Sequence, residues 1–235
     1  MGITAISRTT DIDVNESLAP PADRKVVAGN AACRAVDLIV APIAFVVLLP
    51  LMALIAIAIK LDSSGPVVFR QRRLGRGMTP FTVHKFRTMN QGVSQDIHRQ
   101  FVIELIEGSK PERVEGTPQF KLSADPRVTR LGRFLRRSSL DELPQLWNVI
   151  RGEMSLVGPR PAIEYEVEHY PEAWLRRFVH KPGMTGLWQV SGRSELTMAE
   201  MVKLDIEYTD RRSVWLNLSI LLRTIPVVLF AHGAS

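Results

Sequence analysis

The chain has 235 residues, of which 46% are hydrophobic and 23% charged, with 15 glycines and 15 prolines that follow no period. This composition excludes a disordered chain and a collagen-like repeat, and the length suffices for one domain with its own core. The lone cysteine, Cys33, excludes a disulfide-stapled secreted fold, and the net charge of +6 predicts anionic partners such as phosphates or acidic lipids.

The first 60 residues divide into a polar tail and an apolar helix. Residues 1–28 lack periodicity and are predicted to be a disordered tail. Residues 38–59 read LIVAPIAFVVLLPLMALIAIAI, which is 22 residues without a charge and about 33 Å of helix, enough to match a hydrocarbon layer. We therefore predict a membrane helix over 29–62; a buried core helix is the alternative. A signal peptide fits poorly, because the apolar run is too long and no cleavage site follows it.

The flanks of this helix indicate how it meets the membrane. Pro50 lies just past its middle and can kink it, and basic residues, which favour the cytoplasmic side, flank both ends. A re-entrant helix that bends at Leu49–Pro50 and returns to the same face satisfies both flanks, whereas a simple span is the alternative. The flanking basic residues are Arg24, Lys25 and Arg34 before the helix, and Lys60, Arg70, Arg72, Arg73 and Arg76 after it.

Residues 63–235 are predicted to form one domain that packs on the membrane interface at the cytoplasmic side. The overall fold class is α/β, mostly helical, with a small β-hairpin and interfacial amphipathic helices. The apolar stretch 214–230 is interrupted by Asn217, Arg223 and Pro226, so it reads as an interfacial helix or, alternatively, as a core helix. The predicted elements are strands at 66–70 and 81–86 around a Gly75–Pro80 turn, helices at 94–107, 129–137, 141–151, 161–169 and 198–208, and a loop from 107 to 118.

Residues 125–161 carry most of the candidate chemistry. Arg130, Arg133 and Arg137 have the spacing of one helix face, which predicts either a phosphate site or a basic face toward water or lipid headgroups. Two adjacent carboxylates, Asp141 and Glu142, follow directly.

Their spacing is compatible with a helix start in two ways. Either Ser139 and Glu142 form a capping box, or Asp141 is the N-cap and Pro144 occupies the third helical position. A cap needs only one carboxylate, so the second favours a charged site in which one acid is a nucleophile and the other a ligand of Mg²⁺. A cap that merely complements the helix dipole is the alternative.

Other motifs are weaker alone. Arg160 lies in a stiff Gly-Pro-Arg-Pro turn that fixes its backbone, and it is either a phosphate ligand or an ordinary surface arginine. Lys85 lies in the basic run 69–98, which either binds phosphate or attracts anionic lipid. The sequence contains no P-loop and no HExxH motif, and its five histidines lack metal-ligand spacing.

Taken in order, the motifs carry a family resemblance. Arg34-Ala35-Val36-Asp37 leads into the apolar helix. Three further segments follow: FRQRRLGRGMTPFTVHKFRTM (69–89), the 125–161 stretch ending SLVGPRP, and KPGMTGLWQVSGR (181–193). This order, over residues 30–230, resembles the bacterial sugar transferase family, the monotopic phosphoglycosyl transferases.

The resemblance implies a monotopic enzyme with a re-entrant helix at the cytoplasmic face of the bacterial inner membrane. Such enzymes transfer a sugar-1-phosphate from a UDP-sugar to undecaprenyl phosphate, release UMP and use Mg²⁺. The C-terminal LLRTIPVVLFAHGAS is most similar to galactose-1-phosphate transferases that initiate exopolysaccharide synthesis, with glucose-1-phosphate as the alternative cargo. The resemblance implies membrane lipids as partners and no nucleic acid. It leaves open whether the protein forms a homodimer.

Residue by residue, the resemblance makes Asp141 the nucleophile and Glu142 its partner that binds Mg²⁺. The residues implied around the phosphates and the nucleotide are Lys85, Arg136, Arg160, Gln189 and Arg193. Leu49 departs from a serine often found before the break proline, so the bend at Pro50 could be held differently. A direct displacement with Asp141 as general base is the mechanistic alternative, and a non-catalytic basic membrane adaptor is the functional one.

Overall fold

The computed structural model describes residues 24–90 and 127–229, together with isolated helical positions at 103 and 106. Of the predicted tail 1–28, residues 1–23 lie outside the described residues and 24–28 are helical, so the tail prediction is wrong there. The predicted helix 94–107 lies outside them except for positions 103 and 106, which are helical, and the predicted loop 107–118 lies wholly outside them. The first element, α1, is Arg24–Asp62, a 39-residue helix that is continuous through Pro42 and Pro50. It starts before the predicted residue 29. The bend at Pro50 remains a prediction.

One face of α1 packs on the rest of the protein, and the other faces are exposed. Its buried residues lie along one stripe of the helix, with Cys33, Asp37 and Ala41 four positions apart, and Ile55 and Ile59 about four turns further on. The segment Gly29–Asp62 is long and apolar enough to cross a membrane, and only 11% of its most apolar 18 residues are buried against the rest of the protein. A buried core helix, the alternative weighed for this segment, is therefore wrong.

The predicted hairpin is confirmed. Strand β1 (Val68–Leu74) pairs antiparallel with β2 (Pro80–Phe86), with Val68 opposite Phe86 and Leu74 opposite Pro80. The outer edge of β2 is satisfied by a side chain: Asn148 accepts a hydrogen bond from the His84 N–H at 3.1 Å and donates one to the Thr82 carbonyl at 2.7 Å. This contact fixes β2 against the helix that carries Asn148.

The remaining elements are mostly short helices. Thr129 caps the predicted helix over 129–137 through a hydrogen bond from the Gly132 N–H, and the 198–208 helix is longer than predicted. The predicted helix at 161–169 is only one turn, and the short parallel pair β3–β4 was not predicted. In chain order they are α2 (Arg130–Arg137), α3 (Gln145–Arg151), β3 (Ser155–Val157), α4 (Glu164–Val167), a 3₁₀ helix (Glu172–Val179), β4 (Gly183–Thr185), α5 (Met198–Arg211) and α6 (Val214–Leu229).

Two apolar clusters join α1 to the domain. The first surrounds Ala41 in the N-terminal half of α1 and includes Val83, Val149, Tyr208 and Ile220. The second contains Ile55, Ile59, Phe86 and Leu135, and Leu140 and Leu143 pack against it. Because Leu140 and Leu143 flank Asp141 and Glu142, the turn that holds these two acids rests on the C-terminal half of the apolar helix.

Helix α6 packs one side on the domain and exposes apolar side chains on the other. Ile220 and Asn217 are buried, whereas Trp215 is 81% exposed and Leu222 and Ile225 are exposed as well. An interior core helix, the alternative for this segment, would not leave a tryptophan and two aliphatic side chains uncovered.

Candidate active site

The acidic turn, residues 139–144, is a bend between two helices rather than a helix start. Leu140–Glu142 form one 3₁₀ turn, preceded by Ser139 with a left-handed φ of 57°. Both predicted caps are wrong: the Ser139 side chain makes no cap hydrogen bond, and α3 begins only at Gln145, after Pro144. Pro144 has no N–H to donate, so regular helical bonding resumes beyond it. The two carboxylates are therefore available for chemistry instead of capping.

Asp141 is a buried carboxylate whose proton affinity is raised. Its exposed fraction is 9%. Burial is the main reason that its pKa rises from 3.8 to about 6, and the neighbouring Glu142 charge adds to the rise, while Lys85 and Arg136 oppose it. Asp141 is therefore mostly ionised at neutral pH, yet incompletely solvated, as suits a nucleophile.

Glu142 is held as an anion by Lys85. The Lys85 Nζ atom donates to Glu142 Oε1 at 2.7 Å. Burial alone would raise the pKa of Glu142, but the Lys85 ion pair, together with the charges of Arg160 and Arg73, places it below its ordinary value. The two adjacent acids thus have pKa values pushed in opposite directions, as is typical of carboxylate pairs that divide roles.

Arg136 reaches the site from the last turn of α2. Its Nε donates to the Thr88 hydroxyl at 2.9 Å, and its charge lowers the pKa of Asp141. Helix α2 lies directly on the Thr88 backbone at Gly132, where an added Cβ would stand 2.1 Å from the Thr88 carbonyl oxygen. A side chain at position 132 would push α2, and Arg136 with it, away from Asp141.

Arg160 is exposed on a loop that packs backbone to backbone. The Gly158 N–H donates to the Thr185 carbonyl at 2.9 Å, and a Cβ at Gly158 would lie 2.5 Å from the Lys181 carbonyl oxygen. The Arg160 charge acts on Glu142 and lowers its pKa. Lys85, Arg136 and Arg160 therefore all act electrostatically on the two acids.

The two predicted nucleotide residues are placed differently. Arg193 Nη2 donates to the Ser139 hydroxyl at 3.2 Å, and the pKa of Arg193, lowered mainly by burial, is partly restored by the Glu142 charge. Arg193 therefore contacts the acidic turn. Gln189 donates instead to the Met184 carbonyl at 3.3 Å, and its buried Oε1 has no hydrogen-bond partner among the described residues.

Comparison with known proteins identifies the family of the chain. Residues 28–231 match the family model described as bacterial sugar transferase. The chain belongs to this family. It is 44% identical over 202 residues to a UDP-galactose-lipid carrier transferase of Erwinia amylovora, covering 86% of this chain and 41% of the relative. It is 40% identical over 207 residues to the exopolysaccharide production protein ExoY of Rhizobium meliloti, covering 88% and 89%.

A further relative is named for a different sugar. The UDP-glucose:undecaprenyl-phosphate glucose-1-phosphate transferase of Caulobacter vibrioides is 39% identical over 210 residues, with 86% of this chain and 71% of the relative covered. The chain thus spans less than half of the Erwinia protein but most of the Rhizobium and Caulobacter proteins.

The donor set of the acidic turn fits Mg²⁺ only in an open site. Among the residues that the structure describes, no three His, Cys, Asp or Glu side chains are grouped to hold a metal. Asp141 and Glu142 supply two carboxylates, and Mg²⁺ is commonly bound by one or two carboxylates with water and substrate phosphate completing its shell. The residues present are thus suited to a magnesium that arrives with a diphosphate.

Sequence reasoning did not assign Arg73 to this site. Its buried guanidinium donates to the Pro161 carbonyl at 2.8 Å, and its charge lowers the pKa of Glu142. Burial, with the repulsion of Arg160, lowers the pKa of Arg73 to about 10. The alternation of β1 could have distinguished Arg73 from Arg72, because Arg73 shares a strand face with Gln71 and lies opposite Phe81 of β2.

Proposed function

We propose that this protein transfers a sugar-1-phosphate from a UDP-sugar to undecaprenyl phosphate, releases UMP, and so initiates exopolysaccharide synthesis. Relatives named for this reaction support the substrates. The observation that carries the proposal is the acidic turn itself: a buried Asp141 with a pKa near 6 stands beside a Glu142 that Lys85 holds as an anion. The non-catalytic adaptor, the rival function, needs neither feature.

The first step is attack on the donor. A carboxylate oxygen of Asp141 forms a bond to the sugar-bearing phosphorus, the bond from that phosphorus to the bridging oxygen breaks, and the electron pair leaves with UMP. The product is an aspartyl phosphosugar. Phosphoryl transfer depends on positioning and on neutralising oxygen charge, and the cations Lys85, Arg136 and Arg160 surround the two acids for this purpose.

The second step regenerates Asp141. An oxygen of undecaprenyl phosphate bonds to the same phosphorus, the bond to the aspartyl oxygen breaks, and Asp141 leaves as a carboxylate. Mg²⁺ bound by Glu142 would supply additional positive charge at the phosphate oxygens. Arg193, which contacts Ser139 in the acidic turn, is in position to bind the nucleotide half of the donor.

We assign UDP-galactose as the donor and UDP-glucose as the competing one. Relatives named for galactose are 40% to 44% identical to this chain, and those named for glucose are 39% to 40% identical. The two sugars differ at one hydroxyl, so a few hydrogen bonds in the sugar pocket decide between them.

A re-entrant α1 with the domain on the cytoplasmic face completes the proposal. Near its start, the buried Asp37 accepts hydrogen bonds from the Ser155 hydroxyl at 2.8 Å and the Leu156 N–H at 2.9 Å. Near its end, Arg87 donates to the carbonyls of Ile59 and Ser63 at 3.3 and 2.7 Å. Both ends of α1 therefore bind the same domain, which supports their lying on one side of the membrane.

The test is UMP release by the purified protein in lipid nanodiscs. We expect UMP from UDP-galactose, with Mg²⁺ and undecaprenyl phosphate present, and none with Asp141→Asn. UDP-glucose and the N-acetylated UDP-sugars, run in parallel, identify the sugar. Faster release from UDP-glucose contradicts the galactose assignment alone, whereas no release from any UDP-sugar contradicts the enzyme and favours the adaptor.

A further inference from the structure

The backbone of the Gly158–Ala162 loop is fixed at almost every polar group. The Pro159 carbonyl accepts from the Gly183 N–H at 2.9 Å, the Pro161 carbonyl accepts from Arg73, and the Ala162 carbonyl accepts from the Leu74 N–H at 2.9 Å. Pro159 and Pro161 have no N–H of their own. The central residue, Arg160, is the one whose two backbone groups face a charged pair.

That pair is Arg177 and Asp205, and it is the most deeply buried ion pair among the described residues. The Arg177 Nη2 to Asp205 Oδ2 distance is 2.5 Å, and the two side chains are 4% and 1% exposed. The same Arg177 nitrogen donates to the Arg160 carbonyl at 3.1 Å. Burial raises the pKa of Asp205 to about 6, whereas the Arg177 charge and the Arg160 N–H oppose this rise.

Burial makes this ion pair costly in free energy, and neighbouring groups keep it in place. Burying two charges is expensive, and an apolar pair of similar volume often stabilises a fold as well or better. Tyr170 supports the arginine, since Arg177 Nη1 donates to its hydroxyl at 3.0 Å. Arg177 lies in the 3₁₀ helix Glu172–Val179, and Asp205 lies in α5. The pair therefore connects these two helices to the Gly158–Ala162 loop, which is not adjacent to either in sequence.

We propose that the Arg177–Asp205 pair is a positioning device for Arg160. Asp205 fixes Arg177, and Arg177 binds the Arg160 carbonyl, so that the exposed Arg160 guanidinium is held where its charge acts on Glu142 and on the donor phosphates of the proposed reaction. Arg177 and Asp205 touch no substrate; they act through Arg160. This inference rests on the proposed function, because Arg160 matters only if a phosphate is bound at the acidic turn.

The test is a double-mutant cycle on UMP release in nanodiscs. Arg177→Lys keeps a positive charge near Asp205 but loses the planar fork that reaches two acceptors. We expect it to lower kcat/KM for the UDP-sugar by about 10- to 100-fold, mainly through KM, since small misplacement of a binding group costs this much. In an Arg160→Ala background, the same change should cost less than about 3-fold, because the residue it positions is gone.

A matched control lies one residue away. Arg176 binds Asp210 at 2.7 Å, which joins the same two elements by an exposed ion pair. Arg176→Lys should leave kcat/KM unchanged. Asp205→Asn serves as the second variant if Arg177→Lys folds poorly; it keeps the size of the side chain and removes its charge, and thermal melting monitors folding of every variant.

The outcomes separate the two proposals. If Arg177→Lys and Asp205→Asn lose the same fraction of kcat/KM with and without Arg160, or if the losses follow the melting temperature alone, the pair is merely structural and the inference is wrong. A wild-type protein that releases no UMP contradicts the proposed function, and this inference falls with it.

Discussion

The opposite pKa shifts of Asp141 and Glu142 arise from their surroundings, since both are carboxylates. Burial is the main cause of the raised pKa of Asp141, whereas Glu142 is ion-paired with Lys85 of β2. For the proposed nucleophile, this raised pKa means that activity is lost when Asp141 is protonated. This property can be measured in the first half-reaction, in which no lipid phosphate is present to titrate.

We therefore predict the pH dependence of the donor-only reaction. With UDP-sugar and Mg²⁺ but no acceptor, the rate of the UMP burst should fall as the pH decreases through about 6, because the folded pKa of Asp141 is about 6. Rapid-quench measurements from about pH 5 to about pH 8 give the limb. A rate that stays constant down to the ordinary pKa of an aspartate contradicts a buried Asp141 nucleophile.

The neighbours of Asp141 should move this limb in opposite directions. Lys85 lowers the pKa of Asp141 and Glu142 raises it. We expect Lys85→Gln to shift the limb to higher pH and Glu142→Gln to shift it to lower pH, in addition to lowering the rate of each variant. Rapid-quench pH profiles measure both shifts.

The matched control for these variants is Arg72→Gln. Arg72 lies on the same hairpin but pairs with Glu164 at 2.7 Å on the surface, so its limb should not move. Shifts of equal sign in the Lys85 and Glu142 variants would show that the limb does not report Asp141.

Part of this site is legible in the sequence. Adjacent carboxylates beside a run of arginines single out Asp141 and Glu142, and the rigid turn singles out Arg160. The unequal pKa values of Asp141 and Glu142 could not be predicted from the sequence, because Lys85 lies 57 positions before Glu142 and reaches it only through the fold of the hairpin. Arg177 and Asp205 carry no local signal either, since a buried charge is recognised only when its partner is known.

At the level of elements, the attachment of α1 decides how the protein meets the membrane. Ala31 and Leu61 are exposed near the two ends of the helix, and Val47 is exposed near its middle. With Cys33 buried, single cysteines at these positions can report sidedness.

We predict that Ala31→Cys and Leu61→Cys are both modified by a membrane-impermeant thiol reagent in inverted inner-membrane vesicles and that neither is modified in intact spheroplasts. Val47→Cys should be modified only after detergent is added, which controls for burial in lipid. Modification of Ala31→Cys and Leu61→Cys from opposite sides would mean that α1 spans the membrane.

Elements with local signals were predictable, and elements held by tertiary contacts were not. Thr129 marks the start of α2, so its bounds and those of β2 are predicted to within one residue, whereas β1 was predicted at 66–70 and is observed at 68–74. The predicted helix start at 141 was wrong, because the chain turns through a left-handed Ser139 and resumes helical bonding only after Pro144. The β3–β4 pair depends on Gly158 and Gly183 packing together, which only the folded chain reveals.

At the scale of the described chain, 24–90 and 127–229, exposed large apolar side chains are concentrated on α1 and α6. Trp215 and Leu222 on α6 are left uncovered by the rest of the protein, as are Val46, Val47 and Leu54 on α1. Apolar surface of this extent marks a membrane or protein contact. Basic residues close to the same helices would add attraction to anionic headgroups.

We expect Trp215 to insert into the interface. Binding to vesicles that contain brominated phosphatidylglycerol should quench tryptophan fluorescence, and Trp215→Phe should remove most of that quenching. Trp188 is buried in the domain, so Trp188→Phe is the matched control and should leave the quenching in place. Unchanged quenching in Trp215→Phe would place α6 away from the lipid.

Intact-protein mass spectrometry can detect directly the covalent bond that we propose between Asp141 and the phosphosugar. After incubation with UDP-galactose and Mg²⁺ without acceptor, followed by rapid acid quenching, we predict a mass increase of one hexose phosphate, located on Asp141 by peptide mapping. Undecaprenyl phosphate should remove it, and Asp141→Asn should never acquire it. An enzyme that turns over normally without any adduct, or with the adduct on another residue, would contradict the account and favour direct displacement.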